Sequence, residues 1–194
     1  MKLLHIDSSA LGGYSVSRQL TADIVAELKR ATPDLAIRYH DLAAQPLPHW
    51  SPVADASDPA VALGTEMLEE FLAADVIVIG APMYNFAISS SLKAWLDRIL
   101  VAGKTFRYTA NGPEGLAGGK RVIIASSRGG FYGKDTAAAA MDFQEPYLRA
   151  ALGFIGISDI EFVRAEGIAV GDEQKAAALE SARRSIGTLV AQAA

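Results

Sequence analysis

Asp75-Val76-Ile77-Val78-Ile79-Gly80-Ala81-Pro82 is the stretch on which the fold can be read. Val76 to Ile79 are all β-branched and apolar, with no polar position on either face, and a Gly and a Pro close the run. A strand of this kind needs cover on both sides, which places it at the centre of a parallel sheet. Helical spacing flanks it, from about Ala60 to Ala74 before and from Ile88 to Val101 after. Working outward, Lys2 to Asp7 reads as a buried strand, followed by a helix over Ser17 to Ala31 with Leu20, Ile24, Val25 and Leu28 on one face. Ala36 to Leu42 reads as a second strand, and Gln45 to Pro59, with its four prolines, as loop. Beyond the centre, the pattern predicts a fourth strand over Lys120 to Ser126, a helix over Thr136 to Leu152, a fifth strand over Ile157 to Arg164 and a closing helix over Gly171 to Ala191. Strands joined by helical crossovers imply an α/β fold: a doubly wound, five-stranded parallel sheet with helices on both faces, expected as one domain over residues 1–194.

Composition narrows the function. Eighteen basic against 22 acidic residues give a net charge of −4 with no block of one sign, so no nucleic acid and no anionic membrane are expected as partners. No cysteine occurs, which removes disulfides, thiolate metal sites and cysteine nucleophiles, and fits a reducing, cytoplasmic setting. Met1 to Ala10 lacks the apolar region of a signal peptide, and no run approaches the ~18 apolar residues of a membrane span. His5, His40 and His49 have no metal-ligand spacing, so no metal is expected, and no Gly-x-Ser-x-Gly elbow suggests a hydrolase.

In a doubly wound sheet, ligands sit at the carboxyl ends of the strands where strand order reverses, so the loops after strands one, three and four carry the chemistry. The first, Ser8 to Arg18, is rich in hydroxyls and glycine and ends at a helix start. Free N–H groups, the helix dipole and the hydroxyls of Ser9, Ser15 and Ser17 suit an anion there, and the same residues would equally serve as an ordinary N-cap. Neither a dinucleotide fingerprint nor a P-loop is present, and Asp7 would repel a second phosphate, so a monophosphate suits the loop better. Gly115 to Lys120 imitates a phosphate motif but has Glu114 where that motif wants Gly; it reads as a turn. The second loop, Ala81 to Ser89, sets Met83, Tyr84 and Phe86 beside the amide of Asn85, a mixture that suits a flat heteroaromatic ring; singly, Asn85 would be a turn residue and Phe86 core. The third, Ala125 to Gly133, offers Gly129 and Gly130 for close backbone approach and Arg128 for positive potential, or else a mobile loop with a solvated arginine.

These residues resemble the FMN-dependent NADH azoreductases and their relatives the NAD(P)H quinone oxidoreductases, of flavodoxin-like fold, along essentially the whole chain. The likeness rests on Ser9 to Ser17, Pro82 to Phe86, Ser127 to Gly130, and Lys104 to Tyr108 with Gly112-Pro113 and Gly115-Leu116. It implies strand order 2-1-3-4-5 and FMN as cofactor. Ser9, Ser15, Val16 and Ser17 would cradle its phosphate. Met83, Tyr84, Asn85 and Phe86 would hold its ring, and Ser127, Arg128, Gly129 and Gly130 would close the pyrimidine end. It further implies a homodimer with flavin sites near the subunit interface, where Phe106 and Tyr108, or Phe131 and Tyr132, would wall a substrate pocket. The implied reaction is ping-pong hydride transfer from NADH via FMN to quinones, with reductive cleavage of aromatic azo bonds. It needs no side chain as catalytic acid, base or nucleophile. Two other readings share the fold: a flavodoxin-type electron carrier, and a signalling or interaction module. The second lacks the Asp that a phosphoryl receiver needs after strand three, where Gly80-Ala81-Pro82 stands.

Overall fold

The computed structural model describes residues 1–52 and 55–191. Its principal sheet comprises β1 (Lys2–Asp7), β2 (Ala36–Asp41), β3 (Val76–Pro82), β6 (Arg121–Ser127) and β7 (Asp159–Ala165), all parallel, in the order β2-β1-β3-β6-β7. This is the expected order, with β6 and β7 standing as the fourth and fifth strands. Among the described residues four helices connect the strands, α1 (Val16–Ala31), α2 (Pro59–Ala73), α3 (Ser90–Ile99) and α4 (Glu145–Phe154), and α5 (Asp172–Ala191) follows β7. Every residue of β3 is buried, and it pairs with β1 on one side and β6 on the other.

Alternation along the strands supplies two cores, as the period of two requires. Ile77 and Ile79, with Leu4, Ile6, Val122 and Ile124, face a layer that holds Phe71 of α2, Trp95 of α3 and Leu148 and Leu152 of α4. Val76 and Val78, with Leu3, Ile123 and Val163, face Leu20, Ile24 and Leu28 of α1 and Ala182 and Ile186 of α5. Side chains of this size contribute roughly 1.5–3 kcal/mol each when fully buried, so β3 anchors both layers at once. Helix starts follow ordinary capping chemistry. Ser15 accepts from Arg18 N–H, Ser89 from Leu92 N–H, and Asp58, followed by Pro59, from Ala60 N–H.

Two features depart from the expectation. The helix expected over Thr136 to Leu152 begins only at Glu145; before it the chain makes turns and a single 3-10 turn at Ala139–Met141. Ala137 to Ala140 favour helix, but Gln144 is drawn wholly into the interior, where its Nε2 donates to Ala81 O and its Oε1 accepts from Ser126 Oγ and Arg128 Nε. The helix restarts where Asp142 Oδ1 accepts from the N–H groups of Gln144 and Glu145, with Pro146 in its first turn. The second is an antiparallel hairpin of β4 (Phe106–Thr109) and β5 (Gly112–Gly115). It docks where Gly115 lies so close to the turn after α4 that a Cβ there would stand 2.2 Å from Gly156 N. The turn read over Gly115 to Lys120 is structural throughout: Ala117 N–H donates to Ile155 O, and Lys120 Nζ bonds the carbonyls of Leu72 and Ala74 at the end of α2. Of the Pro-rich stretch, residues 45–52 and 55–58 form neither strand nor helix, Val53 and Ala54 lie outside the described residues, and Pro59 opens α2. Among the described residues, no helix is long and apolar enough to cross a membrane.

Candidate cofactor crevice

The loops that leave β1, β3 and β6 meet at the carboxyl edge of the sheet. After β1, the chain turns through Gly12, at φ +52°, into a 3-10 turn at Gly12–Tyr14 and then α1. Ser9, Ser15 and Ser17 are fully buried, and the Ser15 and Ser17 hydroxyls lie 3.0 Å apart. Val16 and Ser17, the first two residues of α1, have no carbonyl four residues back within the helix, so their N–H groups are available to an anion at the positive end of the helix dipole.

The loop after β3 is tied to both neighbours. Tyr84 OH shares a 3.0 Å hydrogen bond with Ser9 Oγ and accepts from Ala10 N–H, while Met83 N–H donates to Ser127 O at 2.8 Å. Tyr84 and Ala87 then exchange both backbone bonds, which closes a two-residue turn with Asn85 at φ +47° and Phe86 at φ +72°. Asn tolerates the left-handed region; a bulky Phe there stores strain of about 1–2 kcal/mol. Phe86 is held in place by Phe143 N–H, which donates to Phe86 O, and its ring meets Tyr132 edge-on at 6.2 Å. Strain kept at a ligand edge is a mark of a functional turn.

The loop after β6 corrects one expectation. Arg128 is neither solvated nor turned to a ligand: it is 1% exposed, and its guanidinium sits among Asp142, Glu145 and Glu166 at 3.0, 2.6 and 3.1 Å. Three carboxylates consume its charge, so the loop presents backbone, not a cation. The carbonyls of Gly129 and Gly130 accept from Ala169 and Gly167, which fixes the loop to the segment after β7. Phe131 is partly exposed and leans on Gly167, where a Cβ would fall 2.5 Å from its ring. Phe106 and Tyr108 are not brought to this crevice. Both sit on the hairpin beside the carboxyl end of α4, at the opposite edge of the sheet; Phe106 is buried against Phe154, and Tyr108 is 75% exposed.

Beneath the first loop lies a cluster of groups that residue type alone does not disclose. Arg18 donates through Nη1 and Nη2 to both oxygens of Asp41, at 2.7 and 2.6 Å, and through Nε and Nη2 to Ser9 O. Hydrogen bonding to Asp41 holds the Arg18 pKa above its usual value, and the same bond holds Asp41 below the usual carboxylate range. Asp7 is buried, which by itself raises its pKa; neighbouring His5, the Thr21 hydroxyl and Arg18 more than reverse this, and the net shift is downward. The loop therefore rests on a paired, ionised base. Sequence reasoning missed Asp41, Gln144 and the three acids around Arg128. Their pairing is set by tertiary structure, and no local pattern announces it.

Strand order, crevice position and a hydroxyl-lined helix start together define a doubly wound cofactor-binding protein. The chain belongs to the family described as Flavodoxin-like fold, which matches residues 1–190. It is 59% identical over 198 aligned residues, 96% of this chain and 97% of the relative, to the FMN-dependent NADH:quinone oxidoreductase of Methylocella silvestris. To FMN-dependent NADH:quinone oxidoreductase 1 of Xanthomonas axonopodis pv. citri it is 60% identical over 184 residues, 94% of this chain and 93% of that one. Among solved structures, the azoreductase of Bacillus anthracis superposes with a TM-score of 0.88 at 27% identity, covering 98% of each chain. An FMN-dependent NADH-azoreductase of the same species, solved in complex with FMN, gives 0.86 at 26% identity over 98% of this chain and all of that one.

Proposed function

We propose that this protein is an FMN-dependent NADH:quinone oxidoreductase that also reduces aromatic azo compounds. The observation that carries the reading is the pair of bonds Tyr84–Ser9 and Met83–Ser127, which draws the three loops into one crevice. The residues fit the cofactor. Buried neutral hydroxyls at Ser9, Ser15 and Ser17, with the Val16 and Ser17 N–H groups, form the donor set a phosphate dianion needs, and the buried carboxylate that ends β1, Asp7, is compensated by Arg18 at 3.8 Å. Met83, Tyr84, Asn85 and Phe86 hold the ring from the turn after β3. Ser127, Gly129, Gly130 and the Arg128 backbone close the pyrimidine end.

FMN held by these residues would supply the two-electron chemistry that links reduced nicotinamide to the acceptor. The chain's own work is to orient and to exclude water. Phe86, Phe131 and Tyr132 wall the space over the ring, where NADH and then a quinone or azo compound would bind in turn. Exposed Leu11, Tyr14, Phe86, Phe131, Met141 and Phe143 give the carboxyl edge an apolar character that supports a homodimer. Use of NADH as donor, with no cysteine in the chain, supports a cytoplasmic setting.

The test is direct. The purified protein is expected to be yellow, to release FMN on heat denaturation, to oxidise NADH only when a quinone or azo dye is present, and to sediment as a dimer. Colourless protein that does not take up FMN would defeat the proposal, and yellow protein idle with NADH and a quinone would make it an electron carrier.

A further inference from the structure

A second cavity opens beyond Tyr132, outside the crevice described above. It encloses about 640 Å³ between Tyr132, Gly133 and Lys134 on one side and Asp142, Arg149 and Arg164 on the other, within the range of roughly 300–1,000 Å³ typical of small-molecule sites. Its acids are already spoken for. Glu145 bonds Arg128 at 2.6 Å and takes Arg164 Nε and Nη2 at 2.7 Å each, while Asp142 bonds Arg128 and accepts from the N–H groups of Gln144 and Glu145 at the start of α4. Lys134 and Arg149, by contrast, form no ion pair with any described residue. Arg149, an exposed side chain, instead sits over Phe162 with its guanidinium carbon 4.5 Å from the ring centre, a contact that holds it at the pocket wall. The lining thus carries four cations (Arg128, Lys134, Arg149, Arg164) against two carboxylates (Asp142, Glu145), and even with Glu166 counted on Arg128 a positive excess remains.

We infer that this cavity docks the phosphate-bearing half of the nicotinamide donor, with its pyrophosphate on Arg149 and Lys134. The inference rests on the oxidoreductase reading. Tyr132 is the link: its ring meets Phe86 at the ring site and its residue lines the cavity, so a dinucleotide with its nicotinamide over the flavin could extend its diphosphate past Tyr132. A quinone carries no charge and has no use for two unpaired cations, whereas every NADH molecule carries a diphosphate. Arg and Lys are the side chains suited to recognise it.

Arg149→Ala and Lys134→Ala, assayed as yellow holoenzyme, should each raise KM for NADH five- to tenfold with kcat nearly unchanged, the signature of lost uniform binding. The same variants should match the parent with 1-benzyl-1,4-dihydronicotinamide, a donor with no phosphate. Titration of ADP by calorimetry should show binding to the parent and loss of it in Arg149→Ala, a readout independent of turnover. An unchanged KM for NADH, an equal rise with both donors, or a rise only for a carboxylated azo dye would overturn the inference. If the parent proves inactive, the oxidoreductase reading fails, and ADP binding alone decides whether the cavity takes a diphosphate.

Discussion

Replacing Asp41 with Ala removes the partner that holds Arg18 beneath the candidate phosphate loop. Two charge-assisted bonds from Arg18, at 2.7 and 2.6 Å, disappear, together with the bonds that Asp41 Oδ1 accepts from Ala43 and Ala44 N–H. The site is largely shielded, with the Arg18 and Asp41 side chains 15% and 24% exposed. Hydrogen bonds to charged groups contribute about 1.5–3 kcal/mol. Arg18 keeps Ser9 O and Asp7 at 3.8 Å, so the loss should be limited to about 2–3 kcal/mol. For a chain of this size that corresponds to a fall in Tm of about 5–10 °C at pH 7, read by circular dichroism on the apoprotein. Because Arg18 also fixes the Ser9 carbonyl, FMN affinity should weaken several-fold. The folded-state pKa of Asp41 is depressed, so the pair's contribution is complete above the unfolded value of about 3.9 and is lost as pH falls through the lower folded value. The stability gap between parent and variant should therefore persist at pH 5 and close in stronger acid. A cycle with Arg18→Ala isolates the pair: if the two single changes add, or if Asp41→Ala shifts Tm by less than about 1 °C, the clamp is not coupled and the reasoning fails.

Three further outcomes follow from the same geometry. Ser15→Asp combined with Ser17→Asp should abolish FMN retention by charge repulsion while the far-UV circular dichroism stays unchanged; unaltered FMN affinity in a fluorescence titration would remove the phosphate assignment. Gly115→Ala puts a methyl 2.2 Å from Gly156 N, where backbone cannot yield, so a thermal melt should fall by several degrees; an unaltered melt would mean that the hairpin does not dock as described. Phe86→Gly relieves about 1 kcal/mol of left-handed strain, which should leave the apoprotein as stable or more so while FMN affinity drops, whereas loss of both together would show that Phe86 serves packing alone.

What the sequence discloses is set by the range of the interactions involved. β3 is readable because four consecutive β-branched residues leave no alternative to two-sided burial, and once it is central the three loops follow from parallel topology. The late start of α4 is unreadable: an alanine run argues for helix, and it is overruled by Gln144, whose partner Ala81 lies 63 positions away. The hairpin had one local signal, Asn111-Gly112, too brief beside four-residue strands to be decisive. Phe86 is the opposite case. Its residue type argues against φ +72°, and only the bonds from Ala87 and Phe143 explain why it is there.

The two arginines nearest the crevice carry one lesson. Arg18 and Arg128 each sit in a loop that reads as anion-binding or ring-binding, and each turns inward to carboxylates, to Asp41 and Asp7 in one case and to Asp142, Glu145 and Glu166 in the other. Each therefore positions a loop through bonds that are complete before any ligand arrives, Arg18 through Ser9 O and Arg128 through the Ser126 and Gln144 side chains. What faces the crevice from these two loops is neutral: hydroxyls, N–H groups and glycine backbone. A phosphate held by fixed dipoles needs no mobile cation to be ordered on binding, and its affinity should depend only weakly on salt, because paired and buried charges are little screened. Donor docking on Arg149 and Lys134, which have no carboxylate partners among the described residues, should fall steeply over the same range of ionic strength. FMN retention and KM for NADH measured across a salt series thus separate the two kinds of site, and a matching salt dependence would refute the division of labour between them.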